Sequence, residues 1–158
     1  MQNLWLVEWT AAGSVVSTER IPDGFFGRAV VDATNDGDTR LIVSYGPVGN
    51  AAATGPALWT AEGVTRLGTW PSTQSDTRAL AMNGNGSTIV GHFRNDFGSE
   101  RDDVPFKWTP DAGFTTLDQD GPDGGFILGA IASGVSDDGS IIAGTMQSDR
   151  GLTSHAVL

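Results

Sequence analysis

A tryptophan followed by threonine occurs three times, at Trp9-Thr10, Trp59-Thr60 and Trp108-Thr109, and each pair is followed shortly by a glycine, Gly13, Gly63 and Gly113. The tryptophans stand 50 and 49 positions apart. A second marker keeps the same step: the turn sequences Asn35-Asp36-Gly37-Asp38, Gly84-Asn85-Gly86-Ser87 and Asp137-Asp138-Gly139-Ser140, whose glycines Gly37, Gly86 and Gly139 are spaced by 49 and 53. Two chemically unrelated markers sharing one period imply a copied supersecondary unit, and a period of this length belongs to propellers, solenoids and related arrays.

Within one unit the residues read as four short strands. The middle unit has Arg78 to Met82, a turn at Asn83 to Gly86, Ser87 to His92, a variable loop, Pro105 to Trp108, a glycine turn, and Phe114 to Leu117. These segments are rich in β-branched and aromatic residues, which suit a pleated, half-buried surface. The Asn-Asp-Gly and Asp-Asp-Gly pieces supply the positive-φ positions of a tight hairpin, so the first two strands of each unit are expected to be antiparallel neighbours. The expectation is an all-β, β-propeller-like array of about three four-stranded antiparallel blades. It forms a single domain over residues 1–158, in units of 1–26 (partial), 27–76, 77–128 and 129–158 (partial). The chain is thus offset within the repeat at both ends, and residues 4–9 and 14–20 are expected to be strands three and four. Closed propellers generally have four to eight blades, so three units imply self-association into a six-bladed ring, further flanking sequence, or an open stack.

Composition agrees with many short strands and many turns: among 158 residues there are 22 Gly and 7 Pro, with 39% hydrophobic and 18% charged. Nine Lys and Arg against nineteen Asp and Glu give a net charge of −10. Polyanions are repelled by such a surface, so nucleic acid and anionic membranes are poor partners. No run of about 18 apolar residues is present to insert into a bilayer. Cysteine is absent, which rules out disulfides and thiolate metal sites. Residues 1–10 carry no basic leader and do not read as a signal peptide.

The blocks Ala79-Leu-Ala-Met-Asn-Gly-Asn-Gly-Ser-Thr-Ile-Val-Gly91 and Ile131-Ala-Ser-Gly-Val-Ser-Asp-Asp-Gly-Ser-Ile-Ile-Ala-Gly144, together with the Trp-Thr strands, resemble the bacterial HAF-type extracellular repeats. The first unit departs from that pattern at Thr34 to Asp38. The resemblance implies a propeller-like fold on extracellular or cell-surface proteins, without an assigned reaction. It carries over only as structural repeat positions: Trp9, Trp59, Trp108, Gly37, Gly86, Gly139 and Asp138.

A tryptophan recurring at one strand position is expected to pack between units. The aromatics outside the repeat, Trp5, Trp70, Tyr45 and Phe97, are the better candidates for ligand binding, because an exposed ring can stack on a sugar. Asp118, Asp120 and Asp123 lie in a glycine-rich loop, but Pro122 and the lack of a closing glutamate break the calcium-loop rule, and the segment reads as a solvated turn. Asp96, Glu100, Asp102 and Asp103 are expected in a solvated loop. His92 and His155 are expected at strand ends, and neither has a motif partner for hydrolysis. No metal or cofactor is expected. The reading is a non-enzymatic module with a structural or protein-interaction role in an extracellular, cell-surface or phage-type assembly. Its contacts are carried by loops 46–55 and 95–104, and self-association or protein partners are expected. A glycan-binding lectin built from few-bladed chains is the alternative. A glycoside hydrolase, needing two facing carboxylates, ranks third.

Overall fold

The computed structural model describes residues 5–9, 12–20, 25–27, 30–47, 55–68, 75–95, 102–119, 127–148 and 154–157. Every regular element among them is a β-strand. In chain order these are β1 (Trp5–Trp9), β2 (Val15–Arg20), β3 (Phe25–Gly27), β4 (Val30–Ala33), β5 (Arg40–Pro47), β6 (Gly55–Thr60), β7 (Gly63–Arg66), β8 (Ser75–Met82), β9 (Ile89–Asn95), β10 (Asp102–Thr109), β11 (Gly113–Thr116), β12 (Ile127–Val135), β13 (Ile142–Ser148) and β14 (Ser154–Val157). The expected all-β class is therefore observed.

The strands form antiparallel sheets that follow the repeat. β1 and β2 make a two-stranded hairpin. In the first sheet β3 and β4 both pair with β5, over its far and near halves, and β6 and β7 follow. The second sheet runs β8-β9-β10-β11 and the third β12-β13-β14. Register confirms which residues correspond: Trp59 pairs with Arg40 and Val64, and Trp108 pairs with Ile89 and Phe114. Trp9 pairs with Val15, so β1 and β2 match β10 and β11 and are third and fourth strands. Among the described residues the three sheets begin at Phe25, Ser75 and Ile127.

Three local expectations are corrected. Asp102 and Asp103 lie in β10, in register with Asn95 and Arg94, and not in a solvated loop. Likewise Gly46 and Pro47 continue β5. His92 sits in the interior of β9, buried, and not at a strand end. The common reason is that a ladder is held by backbone hydrogen bonds, which extend beyond the apolar side chains that make a strand visible in sequence. Loop residues 96–101 and 48–54 lie outside the described residues.

The sheets stack. β8 packs across β4, β5 and β6 of the first sheet, and β12 packs across β8, β9 and β10 of the second. The core lies at the first of these junctions, where Leu41 meets Ala79, Met82, Ile89, Phe93 and Phe106, flanked by Leu58, Leu67, Val104, Trp108 and Phe114. Phe106 is fully buried, stacked on Phe93 at 4.7 Å between ring centroids and edge-on to Phe114 at 5.0 Å. Burying a side chain of this size contributes about 2–3 kcal/mol, and the offset and edge geometries add to it.

Candidate interaction site: stacked turns and an intersheet cleft

The turn between the first and second strands has the same construction three times, and it begins one residue earlier than the sequence markers. A small polar residue, Thr34, Asn83 or Ser136, opens each turn. Its backbone N–H donates to the carbonyl of Thr39, Thr88 or Ile141, each at 2.9 Å. Its side-chain oxygen accepts the return bond from the same partner's N–H, at 3.0, 2.8 and 3.0 Å. Inside the turn, Asp36, Asn85 and Asp138 each accept from the N–H two positions on, at 3.0 Å in all three cases. The following glycines, Gly37, Gly86 and Gly139, have φ of 78°, 74° and 74°, a region that L side chains disfavour. The predicted hairpins are thus present, and a side-chain cap closes each one.

Consecutive turns are bonded to each other. The Asn35 N–H donates to the Gly84 carbonyl at 2.9 Å, and Asn83 Nδ2 donates to the Asp137 carbonyl at 3.3 Å. Asp32 adds a link from strand to strand, accepting the Met82 N–H at 2.8 Å. The exposed carboxylates of Asp36 and Asp138 are employed in holding the backbone. Hydrogen bonds to the Thr34 hydroxyl, then to the Asp38 N–H, hold Asp36 below the usual carboxylate range. For Asp138 the donors are the Ser136 hydroxyl, then the Ser140 N–H and hydroxyl, and its pKa falls to about 2.

The repeat tryptophans divide. Trp59 is buried, at 3% exposure. Trp108 is half-buried, and its indole Nε1 donates to the Leu67 carbonyl of the preceding sheet at 3.2 Å, so this ring does lie between units. Trp9 ends β1, and its side chain lies outside the described residues. Among the proposed ligand aromatics, Trp5 opens β1 and is 52% exposed. Tyr45 lies in β5, its backbone paired with Gly27 and Gly55, with its side chain outside the described residues. Trp70 and Phe97 lie wholly outside them, as do residues 120–126 of the acidic loop. Of the four candidate rings, the described residues thus include only that of Trp5.

His92 Nε2 lies 3.8 Å from Asp103 Oδ1, beyond hydrogen-bond length. Among the described residues there is no group of three or more His, Asp or Glu side chains placed to hold a metal ion.

A cleft of about 180 Å³, which the sequence did not reveal, opens between the second and third sheets. Pro105, Leu117 and Asp118 line it from one side, and Ala132, Ile142, Gly144 and Met146 are among the residues lining it from the other. Its walls are mostly apolar. The missed capping residues had a visible signal, since Thr34, Asn83 and Ser136 all carry a side-chain oxygen at one repeat position. The cleft had none, because it arises from the packing of residues from different units. In comparisons with models of known families and with curated protein sequences, nothing matches this chain.

Proposed function

We propose that the chain is a β-propeller-type repeat module of the HAF kind, with a structural and protein-interaction role in an extracellular or cell-surface assembly. The observation that carries this reading is the turn-to-turn bonding, from Asn35 to Gly84 and from Asn83 to Asp137. It registers successive blades by the same end, as a radial arrangement of blades requires. The employment of conspicuous polar side chains in turn capping, and the negative net charge, favour a scaffold over a polyanion binder. Electron microscopy of the purified chain tests the architecture: a ring with a central channel is expected, and an extended stack of sheets would rule the propeller out.

One observation favours a second reading. Trp5, more than half exposed at the start of β1, offers an indole face suited to a pyranose ring. A glycan array probed with the parent chain and with Trp5→Ala decides this. Binding that disappears in the variant supports a lectin, and silence of the parent across the array eliminates it.

A further inference from the structure

Asn83-Gly84 and Asn85-Gly86 put two Asn-Gly pairs in one turn. Such pairs are chemically labile, since asparagine is thermolabile and a following glycine, having no Cβ, lets its backbone nitrogen approach the asparagine side chain. As sequence the two pairs are equivalent. The fold makes them different.

Asn83 is 2% exposed. Its Oδ1 accepts the Thr88 N–H at 2.8 Å, and its Nδ2 donates to Ser87 Oγ at 3.2 Å and to the Asp137 carbonyl at 3.3 Å. Gly84 is hemmed in as well. Its carbonyl accepts the Asn35 N–H at 2.9 Å, and a Cβ there would collide with the Asn35 side chain and come within 3.3 Å of Asp137 Oδ1. This pair is clamped between the turns of the first and third sheets. For it to react, the Asn83 side chain has to give up all three of its bonds and leave a buried site while the adjoining turns part.

Asn85 is exposed at the tip of the turn. Its Oδ1 accepts the Ser87 N–H at 3.0 Å, which polarises the side-chain carbonyl, and among the described residues no bond holds its Nδ2. The Gly86 N–H donates to the Asn83 carbonyl at 2.9 Å, so one backbone bond of the turn has to open before Gly86 N can reach Asn85 Cγ. A single bond at an exposed turn opens far more often than a buried, multiply bonded cap.

We propose that Asn85 is a site of spontaneous deamidation and that Asn83 is protected from it. Gly86 N attacks Asn85 Cγ. The N–Cγ bond forms, the Cγ–Nδ2 bond breaks, and ammonia leaves with the proton given up by Gly86 N, closing a succinimide. Water then opens the ring. Opening at Cγ gives aspartate, and opening at the backbone carbonyl carbon of residue 85 gives isoaspartate, in which the chain runs through Cγ.

The repeat indicates which product the fold retains. Asp36 and Asp138, at the equivalent positions, are carboxylates already, and each accepts the N–H two positions on at 3.0 Å, as Asn85 does. An aspartate at 85 keeps that bond and gains the Ser87 hydroxyl as a donor, as Asp138 has that of Ser140 at 2.8 Å. Isoaspartate lengthens the backbone by one methylene between Asn83 and Thr88, whose mutual bonds fix the span of the turn. Conversion to aspartate therefore gives the middle turn the form of the other two and adds a negative charge at its tip. None of this depends on the propeller reading of the preceding section.

The folded full chain, incubated in mildly alkaline buffer made with heavy-oxygen water, then digested and sequenced by tandem mass spectrometry, tests the assignment, because the oxygen taken up marks each residue hydrolysed. Asn85 is expected to convert at least about tenfold faster than Asn83, a ratio set by the additional hydrogen bonds that hold Asn83. In the chain unfolded in guanidinium chloride the two pairs are expected to react at similar rates. Equal rates in the folded chain, or faster conversion of Asn83, overturn the proposal. So does an Asn85 that stays intact in the folded chain over a period in which it reacts in the unfolded one. Asn85→Asp is expected to fold, to melt at the temperature of the parent or above it, and to take up no label at position 85. A lower melting temperature for that variant would overturn aspartate as the retained product, while the labelling of the parent decides the site without any substitution.

Discussion

Asn83 Nδ2 donates to the Asp137 carbonyl at 3.3 Å across 54 positions of sequence, while Oδ1 of the same side chain accepts the Thr88 N–H at 2.8 Å. One buried amide thus caps its own turn and fastens the next. Thr34 and Ser136, at the corresponding positions, reproduce the capping bond and lack the amide donor.

This division of labour predicts a graded series at Asn83. Asn83→Ala removes these two bonds and a third, from Nδ2 to Ser87 Oγ at 3.2 Å, at a site only 2% exposed, and should cost about 1–3 kcal/mol, because the Thr88 N–H is left buried without that acceptor. Asn83→Ser, which borrows the residue found in the third turn, should recover part of the loss. Chemical denaturation of the three proteins measures the order, and equal stability of Asn83→Ala and the parent would show that the turn does not depend on its cap.

The turn glycines should differ in cost according to what surrounds them. A methyl group at Gly139 meets Thr88 Oγ1 at 2.8 Å in addition to the strain of φ 74°, whereas Gly113, at φ 66°, faces open space. Gly113→Ala should cost about 1–2 kcal/mol from backbone strain alone. Gly139→Ala should cost about 2–4 kcal/mol, since crowding of the neighbouring turn adds to that strain. Comparable melting temperatures for the two variants would argue against tight nesting of the turns.

The Asp138 cap gives a pH dependence of definite sign. Its carboxyl is lowered from 3.8 to about 2 in the folded chain. The stabilisation is therefore complete above pH 3.8 and is lost as pH falls toward 2. Carboxyl NMR titration should place Asp138 below the other exposed aspartates. Asp138→Asn, which installs the residue already present at Asn85, should keep the turn and flatten this part of the acid profile. A normal titration of Asp138 would contradict the hydroxyl and amide bonding seen here.

Phe106 and Trp108 separate packing from hydrogen bonding at the first intersheet junction. Phe106→Ala empties a fully buried site between Phe93 and Phe114 and should cost about 3–5 kcal/mol. Trp108→Phe keeps an aromatic ring and loses the bond to the Leu67 carbonyl, for about 0.5–1.5 kcal/mol. Urea melts of both variants check the ranking, and a Trp108→Phe loss as large as that of Phe106→Ala would point to packing as the main role of the indole.

Much of the local architecture was legible in the residues. The all-β class, the four-strand unit, the three hairpins and the assignment of the first two strands as third and fourth of a unit all follow from apolar alternation and turn glycines, which act over a few neighbouring residues. Strand ends were less legible. Asp102, Asp103, Gly46 and Pro47 belong to ladders whose extent is set by backbone pairing, and their side chains read as loop. The assignment of His92 to a strand end failed for the same reason, since Arg94 and Asn95 continue β9 beyond it.

The period of Trp-Thr and Asx-Gly markers by itself determined that this protein is built from copies of one small antiparallel sheet, because those residues specify strands and turns through interactions within a single copy. Tertiary structure alone decided how the copies meet: that Asn83 reaches Asp137, that Trp108 reaches Leu67, and that a cleft opens beside Leu117. Those relations depend on the distance and rotation between sheets, which are set by the packing of side chains drawn from different units. No short stretch of sequence encodes that packing.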